Sequence, residues 1–235
     1  VEGREIGEIW GLQTIGIAKS EEEMQAHLSS LPKGGQEAIG SKWSAGDIMY
    51  RDLNGDGKIS KGASTLDDHG DLKVIGNSTP RYFFGIDLNA DWKGFDVRFF
   101  FQGVMKRDYW GKDNFCGYLF GVRGDKDIWH ARGLVEHQNY FRAQAIGIDG
   151  HELPANLDAY YPRPVFKEGA KNQETQSRYL QDASYIRLKN FQLGYTLPAK
   201  WMKNIGLTKC RVFVSGENLW TGTSSVSYTH LRAHE

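Results

Sequence analysis

Residues 82–103 carry the pattern that most limits how this chain can fold. Every second residue of the stretch 82–92 is apolar, and the pattern holds for eleven residues. The positions between them include acids and an amide: Asp87, Asn89 and Asp91. Such alternation predicts a strand with one apolar and one polar face, longer than the roughly five or six residues usual in soluble proteins. Lys93-Gly94 then predicts a tight turn, and residues 95–103 alternate again as a return strand.

Two environments suit this hairpin. Each arm has about the 9–11 residues that a tilted strand needs to cross a bilayer, and no stretch approaches the ~18 consecutive apolar residues of a membrane-spanning helix. An apolar face opposite a polar one is typical of a transmembrane β-barrel, with lipid outside and water inside. A long hairpin on a soluble β-sandwich would show the same alternation, because the period does not distinguish lipid from a protein core. The pattern alone leaves both open.

Strand character returns near the end of the chain. We predict strands over about 183–197, with a bulge near 189–190 that reconciles two alternation phases, and over about 209–219. The long stretch of about 104–182 shows no sustained period and contributes no obvious core, and about 1–80 is also predicted to be a loop region. Stretches of this size are rare in soluble domains but common on the extracellular side of outer-membrane barrels.

Two local signals predict shorter elements. Residues 6–17 mix β-branched residues with glycine and predict one or two extended segments. Ser20 followed by Glu23 forms a capping-box pattern and predicts a short helix that ends before Pro32. Residues 199–206 predict one or two helical turns after Pro198.

The charge balance bears on partners and on chemistry. The chain has 29 basic and 29 acidic side chains, and this neutrality argues against a nucleic-acid partner. It contains no nucleophile elbow, Walker loop or dinucleotide-binding glycine motif, and we therefore predict no catalytic residues and no enzyme activity.

Four motifs occur in a fixed order along the chain. They are residues 46–59 (GDIMYRDLNGDGKI), 75–85 (IGNSTPRYFFG), 92–103 (WKGFDVRFFFQG), and 185–198 (YIRLKNFQLGYTLP) followed by 212–219 (VFVSGENL). Together they resemble the C-terminal part of the SusC/RagA family of TonB-linked outer-membrane transporters. The resemblance covers about residues 1–222.

The resemblance implies an all-β fold: a partial antiparallel transmembrane β-barrel, a few strands of a large plugged barrel of roughly 22 strands, with long extracellular loops. It implies import of glycans, peptides or other oligomeric nutrients across the cell outer membrane, together with a SusD-like surface lipoprotein and surrounded by outer-membrane lipid. The TonB complex would act through N-terminal regions that this chain does not contain. Residues 1–224 would then be a barrel fragment. Residues 225–235 look like a translated sequencing adaptor, and we treat them as a non-native tail.

One loop is a candidate calcium site. Asp52, Asn54 and Asp56 place oxygens at positions one, three and five of an EF-hand-type loop, and Lys58 offers its carbonyl. Position nine is a serine and position twelve an alanine where a glutamate would be expected, so ligands would have to come from further along. The candidates are Asp67, Asp68 and Asp71. The alternative is an ordinary aspartate- and glycine-rich turn. Calcium is the only ion that the sequence suggests, and no cofactor is predicted.

A second function remains open. A secreted, calcium-stabilised β-sandwich that binds carbohydrate would also explain the alternating strands and the acidic loop. Aromatic residues of the long stretch could stack on sugar rings or could pack the loop against itself. They are Tyr109, Trp110, Trp129, Tyr140, Tyr160 and Tyr161.

Overall fold

The computed structural model describes residues 3–111, 138–148, 150–165, 169–203 and 206–224. The adaptor-like tail and Trp129 lie outside these ranges. The chain divides into two compact units, which we describe separately. The loop unit comprises Val1–Ser78 and Trp110–Leu180, and the sheet unit comprises Thr79–Tyr109 and Gln181–Glu235.

Strands dominate the described ranges. In chain order the elements are β1 (Glu8–Leu12), β2 (Thr14–Ile17), α1 (Glu21–Ser29), β3 (Ile48–Tyr50), β4 (Leu72–Asn77), β5 (Tyr82–Trp92), β6 (Phe95–Met105), β7 (Asp108–Tyr109), β8 (Ile146–Ile148), β9 (His151–Leu153), β10 (Gln181–Asp182), β11 (Tyr185–Thr196), α2 (Ala199–Lys203) and β12 (Arg211–Thr223). Two short 3-10 helices, Gly169–Asn172 and Ser177–Tyr179, lie in the loop unit. Neither α1 nor α2, nor any other helix in the described ranges, is long and apolar enough to cross a membrane.

The sheet unit is built on four antiparallel strands in the order β12-β11-β6-β5. β5 has the predicted bounds, and β6 continues to Met105, two residues past the predicted end. At the turn, Lys93 and Gly94 have φ of 47° and 89°, so both central residues are left-handed. Two left-handed residues are what a primed two-residue turn requires, which confirms the predicted hairpin.

The bulge predicted near 189–190 is present. The register of β11 shifts between Leu188 and Asn190 against both of its neighbours. An extra residue at this point moves the following apolar side chains into the other alternation phase, as the sequence indicated. β12 extends to Thr223, four residues beyond its predicted end.

The loop unit contains short two-stranded sheets, in which β1 pairs with β4, β2 with β3, and β8 with β9. The predicted helix is present as α1. The Ser20 hydroxyl accepts a hydrogen bond from the Glu23 backbone N–H at 3.2 Å. The Glu23 carboxylate accepts one from the Lys19 N–H at 2.6 Å, one residue before the position that a standard capping box uses.

The prediction that the long stretch of about 104–182 contributes no core was wrong. A cluster of buried apolar side chains lies in the loop unit and draws on both of its chain segments. Its members are Leu12, Ile17, Ala18, Met24, Leu31, Trp43, Ile48, Met49, Tyr50, Ile59, Phe141, Ala159, Tyr161 and Tyr179. These residues come from several short elements and connections, so no periodic pattern in any one segment predicts that they are buried together.

Candidate functional site

The sheet unit has one continuous apolar face. Leu88 of β5 lies opposite Phe99 of β6, which lies opposite Phe191 of β11. The rings of Phe99 and Phe191 are 5.1 Å apart. Yet the face is not covered: Leu88 is 53% exposed and Trp92 is 68% exposed. A β-sandwich would bury this face against a second sheet, so the described structure does not support that alternative for the hairpin.

The dimensions of the apolar face match a membrane. Tyr82 and Trp92 close the two ends of β5 and are ten residues apart. At about 3.4 Å per residue this is about 34 Å of strand, or about 26 Å along the membrane normal at a tilt of about 40°. Outer-membrane barrels carry an apolar band about 25 Å tall, flanked by aromatic residues. Length, composition and aromatic ends therefore agree with a lipid-facing wall.

The opposite face is mainly polar, and ion pairs link side chains on its different strands. The Arg98 guanidinium on β6 donates through Nε to Asp87 Oδ1 on β5 at 3.0 Å. Asn89 donates to the same oxygen at 3.2 Å. Asp87 therefore lies on the polar face, as the alternation predicted, and is paired with Arg98 of the neighbouring strand.

A second ion pair crosses an intervening strand. Arg211 on β12 donates through Nε to Asp96 Oδ1 on β6 at 2.9 Å, although β11 lies between these strands. Gly194 of β11 makes the crossing feasible, because a Cβ there would be 2.5 Å from Arg211 Nη2 and 2.6 Å from Asp96 Oδ1. Sequence reasoning did not pair Asp96 with Arg211, since nothing local specifies the strand order.

The candidate calcium loop is curled by its own backbone. Asp52 accepts hydrogen bonds from the N–H groups of Gly55 and Gly57, at 2.6 and 2.9 Å. Asn54 Oδ1 accepts from Asp56 N at 2.9 Å. Asp56 Oδ1 accepts from the N–H of Lys58 at 3.1 Å. These contacts define a tight turn.

Two of the three further ligands suggested for calcium, Asp68 and Asp71, have other partners in the structure. Asp71 is buried and accepts from Leu53 N at 2.7 Å and from Ser60 N at 2.8 Å. Asp68 accepts from Ala63 N at 3.0 Å. Within the described ranges, no group of three or more His, Cys, Asp or Glu side chains is arranged to hold a metal. The loop alone offers four liganding groups, whereas calcium takes six to eight oxygens, so calcium binding stays a prediction.

A buried carboxylate joins the two segments of the loop unit. Asp47 is fully buried and accepts from Arg163 Nε at 3.0 Å, from Asn172 Nδ2 at 3.0 Å and from Lys171 Nζ at 2.8 Å. Lys171 is buried as well, and its ammonium also donates to the backbone carbonyls of Ser41 and Lys42, at 3.0 and 2.9 Å. Sequence reasoning did not identify this cluster, because its members lie far apart along the chain.

The protonation state of Asp47 follows from these contacts. Burial raises the pKa of the Asp47 carboxyl, but hydrogen bonds from Arg163, Lys171 and Asn172 outweigh it and hold the pKa below its ordinary value. Asp47 is therefore charged wherever the protein is folded near neutral pH, and it neutralises a buried lysine. Paired in this way, the two charges can stay buried.

The aromatic residues of the long stretch differ in how far they are buried. Tyr161 is buried, and its ring lies 4.8 Å from that of Tyr160 and 5.8 Å from that of Tyr179. These side chains pack the loop unit, which was the alternative to a ligand surface. Tyr109, in the sheet unit, is exposed.

Comparisons with known proteins agree with this fold. No protein-family profile matches the chain. TonB-dependent receptor P3 of Formosa agariphila is 28% identical over 222 residues, which are 94% of this chain and 18% of the relative. TonB-dependent receptor P26 of the same organism is 25% identical over 226 residues, covering 92% and 18%. The solved structure of the RagAB peptide transporter matches with a TM-score of 0.55 and 18% identity, covering 92% of this chain and 19% of that chain.

These matches show how much of its relatives the chain covers and which fold it shares with them. It spans about a fifth of the length of its relatives, and its fold is that of part of a TonB-dependent barrel. The relatives are named as receptors, which is compatible with the absence of a predicted enzyme activity. Receptors of this kind are outer-membrane proteins, and the apolar band of the sheet unit fits that location. The chain is thus a relative of the TonB-dependent receptors with a SusC/RagA-type fold, as its four ordered motifs indicated.

Proposed function

We propose that this chain is part of a TonB-dependent transporter that imports oligomeric nutrients, glycans or peptides, across the outer membrane. The observation that carries the proposal is the two-faced sheet. Its apolar face has the height of a bilayer, and its polar face carries the Asp87–Arg98 and Asp96–Arg211 ion pairs. Charges on one side of a membrane-spanning strand require water or protein beside them, as the interior of a barrel provides.

The lengths of the connections give the proposed orientation. β5 and β6 are joined by two residues, while β6 and β11 are separated by residues 106–184, most of which belong to the loop unit. Barrels of the outer membrane have short periplasmic turns and long extracellular loops. The loop unit would therefore lie outside the cell, where nutrient arrives and where a SusD-like lipoprotein would dock.

Two observations support an oligomeric nutrient, either a glycan or a peptide. The solved neighbour is named as a peptide transporter, and exposed aromatic residues such as Tyr109 suit either sugar rings or peptide side chains. The TonB complex would supply energy through parts of the receptor outside this chain. A partner lipoprotein would share the binding surface with the loop unit.

Uptake in cells is the test. Cells with and without the full-length receptor are given fluorescent oligosaccharides and oligopeptides of matched size, before and after collapse of the inner-membrane proton gradient. We expect receptor-dependent uptake of one class that stops when the gradient collapses. Uptake that persists without the gradient, or that is the same without the receptor, would contradict the proposal.

A further inference from the structure

Both connections at one end of the four-stranded sheet lie side by side. Lys93-Gly94 joins β5 to β6, and residues 197–210 join β11 to β12. The Thr196 N–H donates to the Gly94 carbonyl at 2.7 Å, and the Leu197 N–H donates to the Cys210 carbonyl at 3.0 Å. These bonds tie the two connections into one surface, which we call the turn end.

The turn end is strongly basic. Lysines stand at 93, 200, 203 and 209, all exposed, and residues 197–210 contain no acidic side chain. The nearest strand ends carry two acids, Asp91 and Asp96, and one further cation, Arg211. Because Arg211 is paired with Asp96, the surface keeps an excess of three positive charges. Exposed lysines on one surface repel one another unless an anion lies between them.

An exposed tryptophan lies among these lysines. α2 is fixed by hydrogen bonds from Trp201 N to Pro198 O and from Leu207 N to Met202 O, both 3.0 Å. Met202 is buried beneath the helix, whereas Trp201 is 60% exposed. Trp92 is also exposed, with Lys93 Nζ 4.8 Å from its ring. Indole rings next to cations at the end of a lipid-facing strand are typical of the headgroup level of a bilayer.

We propose that the turn end binds the anionic headgroups of phospholipids in the periplasmic leaflet of the outer membrane. Trp201 would sit at the headgroup level while Lys200, Lys203 and Lys209 contact lipid phosphates. This inference rests on the proposed orientation, in which short connections face the periplasm. The site would anchor the wall at a fixed depth, because basic contacts with headgroups resist movement of the strands along the membrane normal.

Lipid binding by the full-length receptor tests the proposal. The receptor is purified in an uncharged maltoside detergent and titrated with dioleoyl-phosphatidylglycerol, and bound lipids are counted by native mass spectrometry. We expect the triple variant K200Q/K203Q/K209Q to bind this lipid at least about tenfold more weakly, since each lysine near an anionic surface strengthens binding about fivefold. The control K33Q/K61Q/K73Q removes the same charge from the loop unit and should leave the affinity unchanged.

A zwitterionic lipid, a tryptophan variant and a change of salt concentration distinguish the contribution of charge from that of the indole ring. Dioleoyl-phosphatidylcholine should bind the wild-type and triple-variant receptors equally, whereas W201A should weaken both lipids. Raising the salt from 50 to 300 mM should weaken phosphatidylglycerol binding to the wild type more than to the triple variant. Equal phosphatidylglycerol affinity of wild type and triple variant would overturn the proposal, as would an equal loss in the control.

Two results would assign the surface elsewhere. If the triple variant lost lipid A but kept phosphatidylglycerol, the turn end would face the outer leaflet and the proposal would fail. If it lost neither but no longer retained a periplasmic protein, the turn end would be a protein-docking surface. Nutrient uptake, measured in parallel, separates these outcomes from failure of the transport proposal, because lipid binding does not require a substrate.

Discussion

Replacing Leu88 with arginine in the full-length receptor should prevent stable assembly of the wall. Leu88 is six residues from Tyr82 and four from Trp92 on the apolar face. At about 3.4 Å per residue and a tilt of about 40°, it lies about 16 Å and about 10 Å from the two aromatic ends. It is therefore near the bilayer midplane, where an arginine costs about 2–4 kcal/mol.

Two control substitutions isolate the effect of depth. Val212 lies in the same row as Tyr195 and Phe95, at the turn end of the apolar face, and is also exposed. Val212→Arg should cost only about 0–1 kcal/mol, because the guanidinium can reach the headgroups. Asp87→Ala on the polar face removes an exposed ion pair and should leave the unfolding free energy nearly unchanged, because exposed ion pairs contribute little to stability.

The assay is urea unfolding of the receptor in phosphatidylcholine vesicles, followed by the shift in electrophoretic mobility between folded and unfolded barrel. We expect Leu88→Arg to lower the unfolding free energy by at least about 1 kcal/mol more than Val212→Arg, a ratio of at least about fivefold in the folding equilibrium. If the two arginine variants were equally stable, the apolar face would not lie across the membrane and the assignment would fail.

Three further outcomes are expected. Asp47→Ala should destabilise the receptor's loop unit by about 3–5 kcal/mol, measured by limited proteolysis, because it leaves the charge of Lys171 buried and unpaired. The control Asp158→Ala breaks an exposed ion pair and should change the rate of cleavage little. Since folding lowers the pKa of Asp47, its contribution is complete above the ordinary aspartate pKa and is lost as the pH falls towards the folded pKa, which protease resistance across pH 2–6 would reveal. Calcium should raise the melting temperature of the full-length receptor relative to a chelator if the loop 52–58 binds it, and an unchanged calorimetric profile would reduce that loop to a turn. Residues 1–235 alone should aggregate without detergent in size-exclusion chromatography, because the apolar face is uncovered, and a monodisperse monomer would contradict this.

The strands of the wall were predictable because their signal is local. Alternation fixed β5 to the residue, and a break in phase located the bulge at 189–190 before any partner strand was known. A strand with one face in lipid and one in water repeats its environment every two residues. Sequence reasoning therefore works well wherever the environment itself is periodic.

The loop unit was not predictable for the opposite reason. Its core joins segments such as Tyr50 and Lys171, whose hydroxyl and carbonyl meet at 2.7 Å across 121 positions of sequence. Neither segment has an alternating pattern, since each contributes only a few buried residues. The end of β12 was placed too early because Asn218, with a φ of 53°, interrupts the alternation just before the last five residues of the strand.

The interleaving of the two units bears on the order in which this protein folds. β6 pairs with β11 through Val104 and Tyr185, a contact that closes a loop of about 80 residues and carries a corresponding entropic cost. Most of those residues belong to the loop unit. The contact between Lys171 and Asp47 joins them to the first segment of that unit, Val1–Ser78, which precedes the hairpin in the chain. If the loop unit forms first, the chain between the two strands is already compact and their pairing becomes effectively a short-range event. Mutations at Asp47 would then slow insertion of the wall even though they lie outside it.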